Sequence, residues 1–120
     1  MASTILIIDD TPSNQPKIFN WLRPTSNRFF FARDSHSAMK ILTREQPQLV
    51  MFSTDLPGTS PRKLIRKLKA RVPLAKLIAI VSTSSNPVVS DLEFVQQIGD
   101  FLIEPLCQEE VLITVSQLLR

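Results

Sequence analysis

Five short apolar runs punctuate the chain, and the segments between them repeat apolar positions at helical spacing. The runs cover residues 4–8, 28–32, 49–52, 77–81 and 101–103. The first, third and fourth are apolar essentially throughout, as strands covered on both faces must be. Residues 14–23 carry Ile18, Phe19, Trp21 and Leu22, with Pro16 in the first turn, where its missing N–H costs nothing. Residues 36–45 follow Ser35 as the expected N-cap and turn Ala38, Met39, Ile41 and Leu42 inward. Residues 60–71 set Leu64, Ile65, Leu68 and then Val72 on one stripe, with Lys or Arg at almost every other position. Residues 87–98 follow Asn86 as N-cap, place Pro87 first in the helix, and turn Val88, Leu92, Val95 and Ile98 inward. Residues 107–119 do the same with Val111, Leu112, Val115, Leu118 and Leu119.

Five strand–helix units in succession, without repeats or linkers, predict an α/β domain. Short connections and right-handed crossovers make its sheet parallel, with helices on both faces. In such a sheet the functional crevice lies at the carboxyl ends of the strands. The residues at that edge are Asp9-Asp10, Ser53 to Gly58, Ser82 to Ser85, and Glu104-Pro105.

Composition narrows the chemistry. A chain of 120 residues fits one domain spanning 1–120 with one core. Hydrophobic residues make up 43% and charged residues 21%, which argues against disorder. Cys107 is the single cysteine, so no disulfide framework or Cys-rich zinc site exists. His36 is the single histidine, which excludes His-ligand clusters and Ser-His-Asp schemes. No apolar run approaches the span a membrane helix needs, and the first run ends in Asp9-Asp10, which no signal peptide would tolerate. A cytoplasmic location is therefore expected.

The net charge of +3 hides an uneven spread. Seven of the fourteen basic residues lie between Arg62 and Lys76. From Leu77 to Leu119 there are six acids and no Lys or Arg. One basic face and one acidic face are expected. Arg62, Lys63, Arg66 and Lys67 are candidates for binding an acidic partner protein, although a charge run on a helix is most often a solvated face. No aromatic platform supports nucleic acid.

The residues at the strand ends resemble those of the receiver domains of two-component response regulators, along the whole chain. The acidic pair after the first run is Asp9-Asp10. Residues 47–58, with Ser53 and the Pro57-Gly58 turn, resemble the family's third strand and following loop. Ser82 stands at the switch hydroxyl position, and Phe101 at the switch aromatic position, of a segment similar to aromatic-x-x-Lys-Pro. The spacing agrees: 43 positions from Asp10 to Ser53, 29 on to Ser82, and 22 on to Glu104. The resemblance implies a flavodoxin-like (βα)5 fold: a doubly wound, five-stranded parallel sheet in strand order 2-1-3-4-5. It also implies a cis peptide before Pro105.

Two departures bear on function. The position of the family's phosphoacceptor Asp, four before the Pro of the Pro-Gly turn, is Ser53. The position of its Lys is Glu104. A receiver takes a phosphoryl group from a phosphohistidine onto a carboxylate, while a metal ion and the Lys offset the moving charge. A Ser hydroxyl is a poor nucleophile without a base, and Glu104 brings a negative charge where a positive one is needed. The leading expectation is thus a non-enzymatic, degenerate receiver with no required cofactor. It would bind a signalling protein, such as a histidine kinase or an effector, without phosphoryl input.

Alternatives stay open at this level. Asp9, Asp10 and Asp55 could retain Mg²⁺ or Ca²⁺, with Glu104 closing an acidic pocket; otherwise the pocket is relaxed and solvated with Glu104 turned outward. Asp55 could itself be the phosphoacceptor with Mg²⁺, but side-chain alternation would aim it away if the strand ends before it. A small enzyme on such a sheet lacks a Gly-rich phosphate cradle, since only Gly58 and Gly99 exist. Without a phosphoryl group to bias them, Ser82 should bond local backbone and Phe101 should pack in one rotamer. The family's dimers join the fourth helix, fifth strand and fifth helix through salt bridges. With only acids in that region here, a monomer or weak dimer is expected instead.

Overall fold

The computed structural model describes residues 3–25, 27–82 and 95–119. In chain order the elements are β1 (Thr4–Ile8), α1 (Asn14–Leu22) with a 3-10 turn (Arg23–Thr25), β2 (Arg28–Ala32), α2 (Ser35–Leu42), β3 (Leu49–Ser53), α3 (Pro61–Arg71), β4 (Lys76–Val81), β5 (Asp100–Ile103) and α4 (Gln108–Leu118). Most of the helix expected over 87–98, with its Asn86 cap, lies outside the described residues, as do Thr83 to Ser85.

All strand pairs are parallel and the order is β2-β1-β3-β4-β5, as expected. The three runs that read as doubly covered occupy the three central positions. Every residue of β1 and β3 is buried. Side-chain alternation divides the interior into two layers. Leu6, Ile8, Val50, Phe52, Ala79 and Val81 pack toward α2 and α3. Ile5, Ile7, Met51, Ile78, Ile80 and Leu102 pack toward α1 and α4. The stripe read from the sequence, Leu64, Ile65, Leu68 and Val72, is at most 3% exposed and anchors α3. Its cations all face water.

Helix boundaries differ by a few residues at α2. The expected cap was Ser35, but Asp34 caps the helix: its Oδ1 accepts from the Ser37 N–H at 2.8 Å. The Ser35 hydroxyl is left without a described hydrogen-bond partner. Asp34 has the extended backbone an N-cap needs, so the helix starts one residue earlier than Ser35 capping would allow. Ser60 caps α3 in the same way, with Pro61 at its first position.

The Ser37 N–H holds the Asp34 carboxyl below its ordinary value, assisted by the Ser37 side chain and the nearby His36 and Arg33 charges. A depressed carboxyl pKa adds stability above the unfolded value and loses it as pH falls through the folded one. Asp34→Asn keeps the acceptor without the charge. Its melting temperature should therefore fall less steeply than the native chain's as pH drops below the ordinary carboxylate range. Parallel slopes in thermal melts would refute this.

Candidate functional site

The carboxyl edge of the sheet gathers the residues singled out in the sequence. Asp9 follows β1, Ser53 ends β3, Ser82 follows β4 and Glu104 follows β5. Ile7, Met51, Ile80 and Leu102 face the α1/α4 layer. Ser53, two residues past Met51 and still within β3, lies by alternation on that same side, while Asp9, Ser82 and Glu104 lie just past the ends of their strands.

Asp9 is 1% exposed and fully engaged. Its Oδ1 accepts from the Thr11 N–H at 2.8 Å, and its Oδ2 from the Asn14 side-chain amide at 2.8 Å. The same Asn14 Nδ2 donates to Glu104 Oε2 at 2.7 Å. One buried amide therefore bridges two carboxylates from the ends of β1 and β5. Glu104 is not turned outward, as the relaxed-pocket reading had it; the bond from Asn14 draws it into the cleft. The peptide joining Glu104 to Pro105 is cis.

The remaining acids stand apart. Asp10 is exposed. Asp55 is also exposed, in the turn beyond β3, where its N–H donates to Ser53 Oγ at 3.1 Å. Ser53 is 8% exposed, and Thr54 beside it bonds the Ile80 carbonyl through its N–H at 3.0 Å. The turn then reverses at Gly58, whose φ of +77° follows Pro57 and suits glycine. Of the three residues expected to hold a cation, Asp9 is buried while Asp10 and Asp55 are exposed, and no group of three or more acid, His or Cys side chains is clustered among the described residues. Phe101 packs partly buried against the α2/α3 layer.

Asn14 was not singled out in the sequence. It sits in the first turn of α1, just past the acidic pair, and that placement was the available signal. A helix that starts beside a strand end aims its first-turn side chains back over that end. Elsewhere on the surface, α3 displays Arg62, Lys63, Arg66, Lys67, Lys69 and Arg71 to solvent. No helix among the described residues is long and apolar enough to cross a membrane.

No protein-family model matches the chain. Among curated proteins it is 27% identical over 118 residues to TcrX of Mycobacterium tuberculosis, named a transcriptional regulatory protein, covering 98% of this chain and 50% of TcrX. The chain thus spans about half the length of that relative. It is 22% identical over 116 residues to protein PilH of Pseudomonas aeruginosa, covering 96% of each. Solved receiver domains and response regulators share its architecture. The receiver domain of the sensor histidine kinase PA1611 of Pseudomonas aeruginosa, described with magnesium in its active-site cleft, matches with a TM-score of 0.82 and 20% identity over 100% of both chains. The chain has the receiver-domain fold.

Proposed function

We propose that the chain is a degenerate receiver that works in signalling as a non-enzymatic protein-binding module and needs no phosphoryl input. The observation that carries this reading is the Asn14 bridge between Asp9 and Glu104. In a working receiver those strand ends must serve a cation and a transferred phosphoryl group. Here a neutral amide satisfies both carboxylates, and the position between them offers a hydroxyl, Ser53, rather than a carboxylate.

The basic face supports a partner-binding role. Arg62 and Lys63 sit in the first turn of α3, at the positive end of the helix dipole. Arg62 with Arg66, Lys63 with Lys67, and Lys67 with Arg71 are like-charge pairs four apart, which destabilise a helix by a few tenths of a kcal/mol each. Cations so placed gain nothing from these local helix interactions, which supports a surface suited to an acidic partner. The acids near β5 and α4 oppose a symmetric salt-bridged dimer of this region.

Incubation with a small phosphodonor or with beryllofluoride, in Mg²⁺, tests the reading. Intact mass should stay unchanged and the amides around Asp10 and Asp55 should not shift. A stoichiometric adduct mapping to Asp55 would establish the phosphoacceptor alternative instead.

A further inference from the structure

The edge strand β2 combines three features that no part of the cleft uses. The first is an open backbone. The Arg28 N–H donates to the Ser3 carbonyl at 2.8 Å, and the Ala32 carbonyl accepts from the Asp9 N–H at 3.0 Å. The backbone groups of Arg28, Phe30 and Ala32 therefore face β1, and those of Phe29 and Phe31 point away from the sheet. No described strand lies beyond β2. The opposite edge is managed differently. There β5 is only four residues long, and the Asp100 carboxylate accepts from the Phe101 N–H at 2.8 Å.

The second feature is an aromatic groove beside the same two residues. Phe19 of α1 meets Phe29 and Phe31 edge-on, at centroid distances of 5.8 and 6.0 Å, and is itself 36% exposed. With Pro12, Gln15 and Pro16, Phe19 and Phe31 line an open groove of about 380 Å³. The Gln15 amide donates to the carbonyls of Asp9 and Ala32, at 2.9 and 3.0 Å, which fastens this wall to the ends of β1 and β2.

The third feature is charge. Residues 11–33 contain Lys17, Arg23, Arg28 and Arg33 and no acid. Glu45 meets Arg28 at 3.7 Å, and Asp34 adjoins Arg33, which leaves Lys17 and Arg23 as the excess. The cations decide the occupant. A second copy paired antiparallel about Phe30 would set Phe29 against Phe31 and Arg28 of each chain opposite Ala32 of the other, with both cationic edges brought together. Salt-screened repulsion between the two cationic edges disfavours that dimer.

We infer that β2 takes up an extended segment of a partner protein as an added strand. Its backbone pairs with Phe29 and Phe31, an apolar side chain enters the groove against Phe19 and Phe31, and acids at its ends meet Arg28 and Arg33. This names a partner class for the binding module proposed above and rests on that reading. The test below reports on β2 alone, so its failure and a failure of the phosphodonor test are separable.

The probe is a short capped peptide of alternating valine and threonine with glutamate at each end, titrated into the ¹⁵N-labelled chain. The amides of Phe29 and Phe31 should shift, and N-methylation of the peptide at alternate residues should abolish the effect. A lysine-ended counterpart should bind several-fold more weakly at low salt, and Arg33→Glu should narrow or reverse that preference. Absence of shifts at Phe29 and Phe31, shifts confined to α3, equal binding of both peptides, or broadening at β2 on raising the protein concentration alone would overturn the inference.

Discussion

A chain carrying both Ser53→Asp and Glu104→Lys should take up one phosphoryl group from a small phosphodonor in Mg²⁺, and the native chain, on the reading proposed above, should take none. The backbone is already in place for this. Position 53 ends a fully buried strand at the same carboxyl edge of the sheet as Asp9 and position 104. On the proposed reading, an Asp there stands at the acceptor position. A Lys at 104 approaches Asp9 from the place where the Glu104 carboxylate now meets Asn14. The single variants separate the two requirements. Ser53→Asp alone adds a carboxylate to a cleft that already holds Asp9 and Glu104, so it should be less stable and slower to phosphorylate than the double variant by about 10²-fold or more, the usual scale of one missing electrostatic donor. Glu104→Lys alone supplies the cation without an acceptor and should remain unmodified. Intact mass, with loss of the adduct in alkali, reads all four chains. An inert double variant would show that the cleft differs from a working receiver in more than these two side chains.

Asn14→Ala should lower unfolding stability by about 1–3 kcal/mol, the range for stranding buried polar or charged partners. The amide makes two charge-assisted bonds at once, so its loss leaves the 1%-exposed Asp9 without one of its two partners and facing Glu104 with nothing between them. The effect should depend on Glu104. In a Glu104→Leu background the second carboxylate is gone, and the same Asn14 substitution should cost visibly less. Denaturant midpoints for the four members of this cycle measure the coupling. Equal costs in both backgrounds would mean that the bridge contributes nothing as a unit.

The strand pattern was legible because doubly covered strands leave unbroken apolar runs, and β1, β3 and β4 have them. The basic helix was equally legible, since Leu64, Ile65 and Leu68 recur at a spacing only a helix can bury on one side. Position 53 followed from counting back from Pro57. The cleft's wiring was not legible. Asn14 acts across 90 positions of sequence to reach Glu104, and no periodicity or spacing encodes such a contact. The start of α2 was misplaced by the same kind of competition: Asp34 and Ser35 are both good caps, and the backbone at Asp34 decided between them. The β2 edge escaped notice because RFFFA reads the same whether its outer side is paired or bare.

The two helices with the strongest charge lie on opposite sides of the sheet, α3 with its cations among the residues over one layer and α4 with Glu109 and Glu110 over the other. A protein surface approaching from the α3 side therefore meets six cations, and one approaching the start of α4 meets two carboxylates, so the sheet separates two contacts of opposite sign.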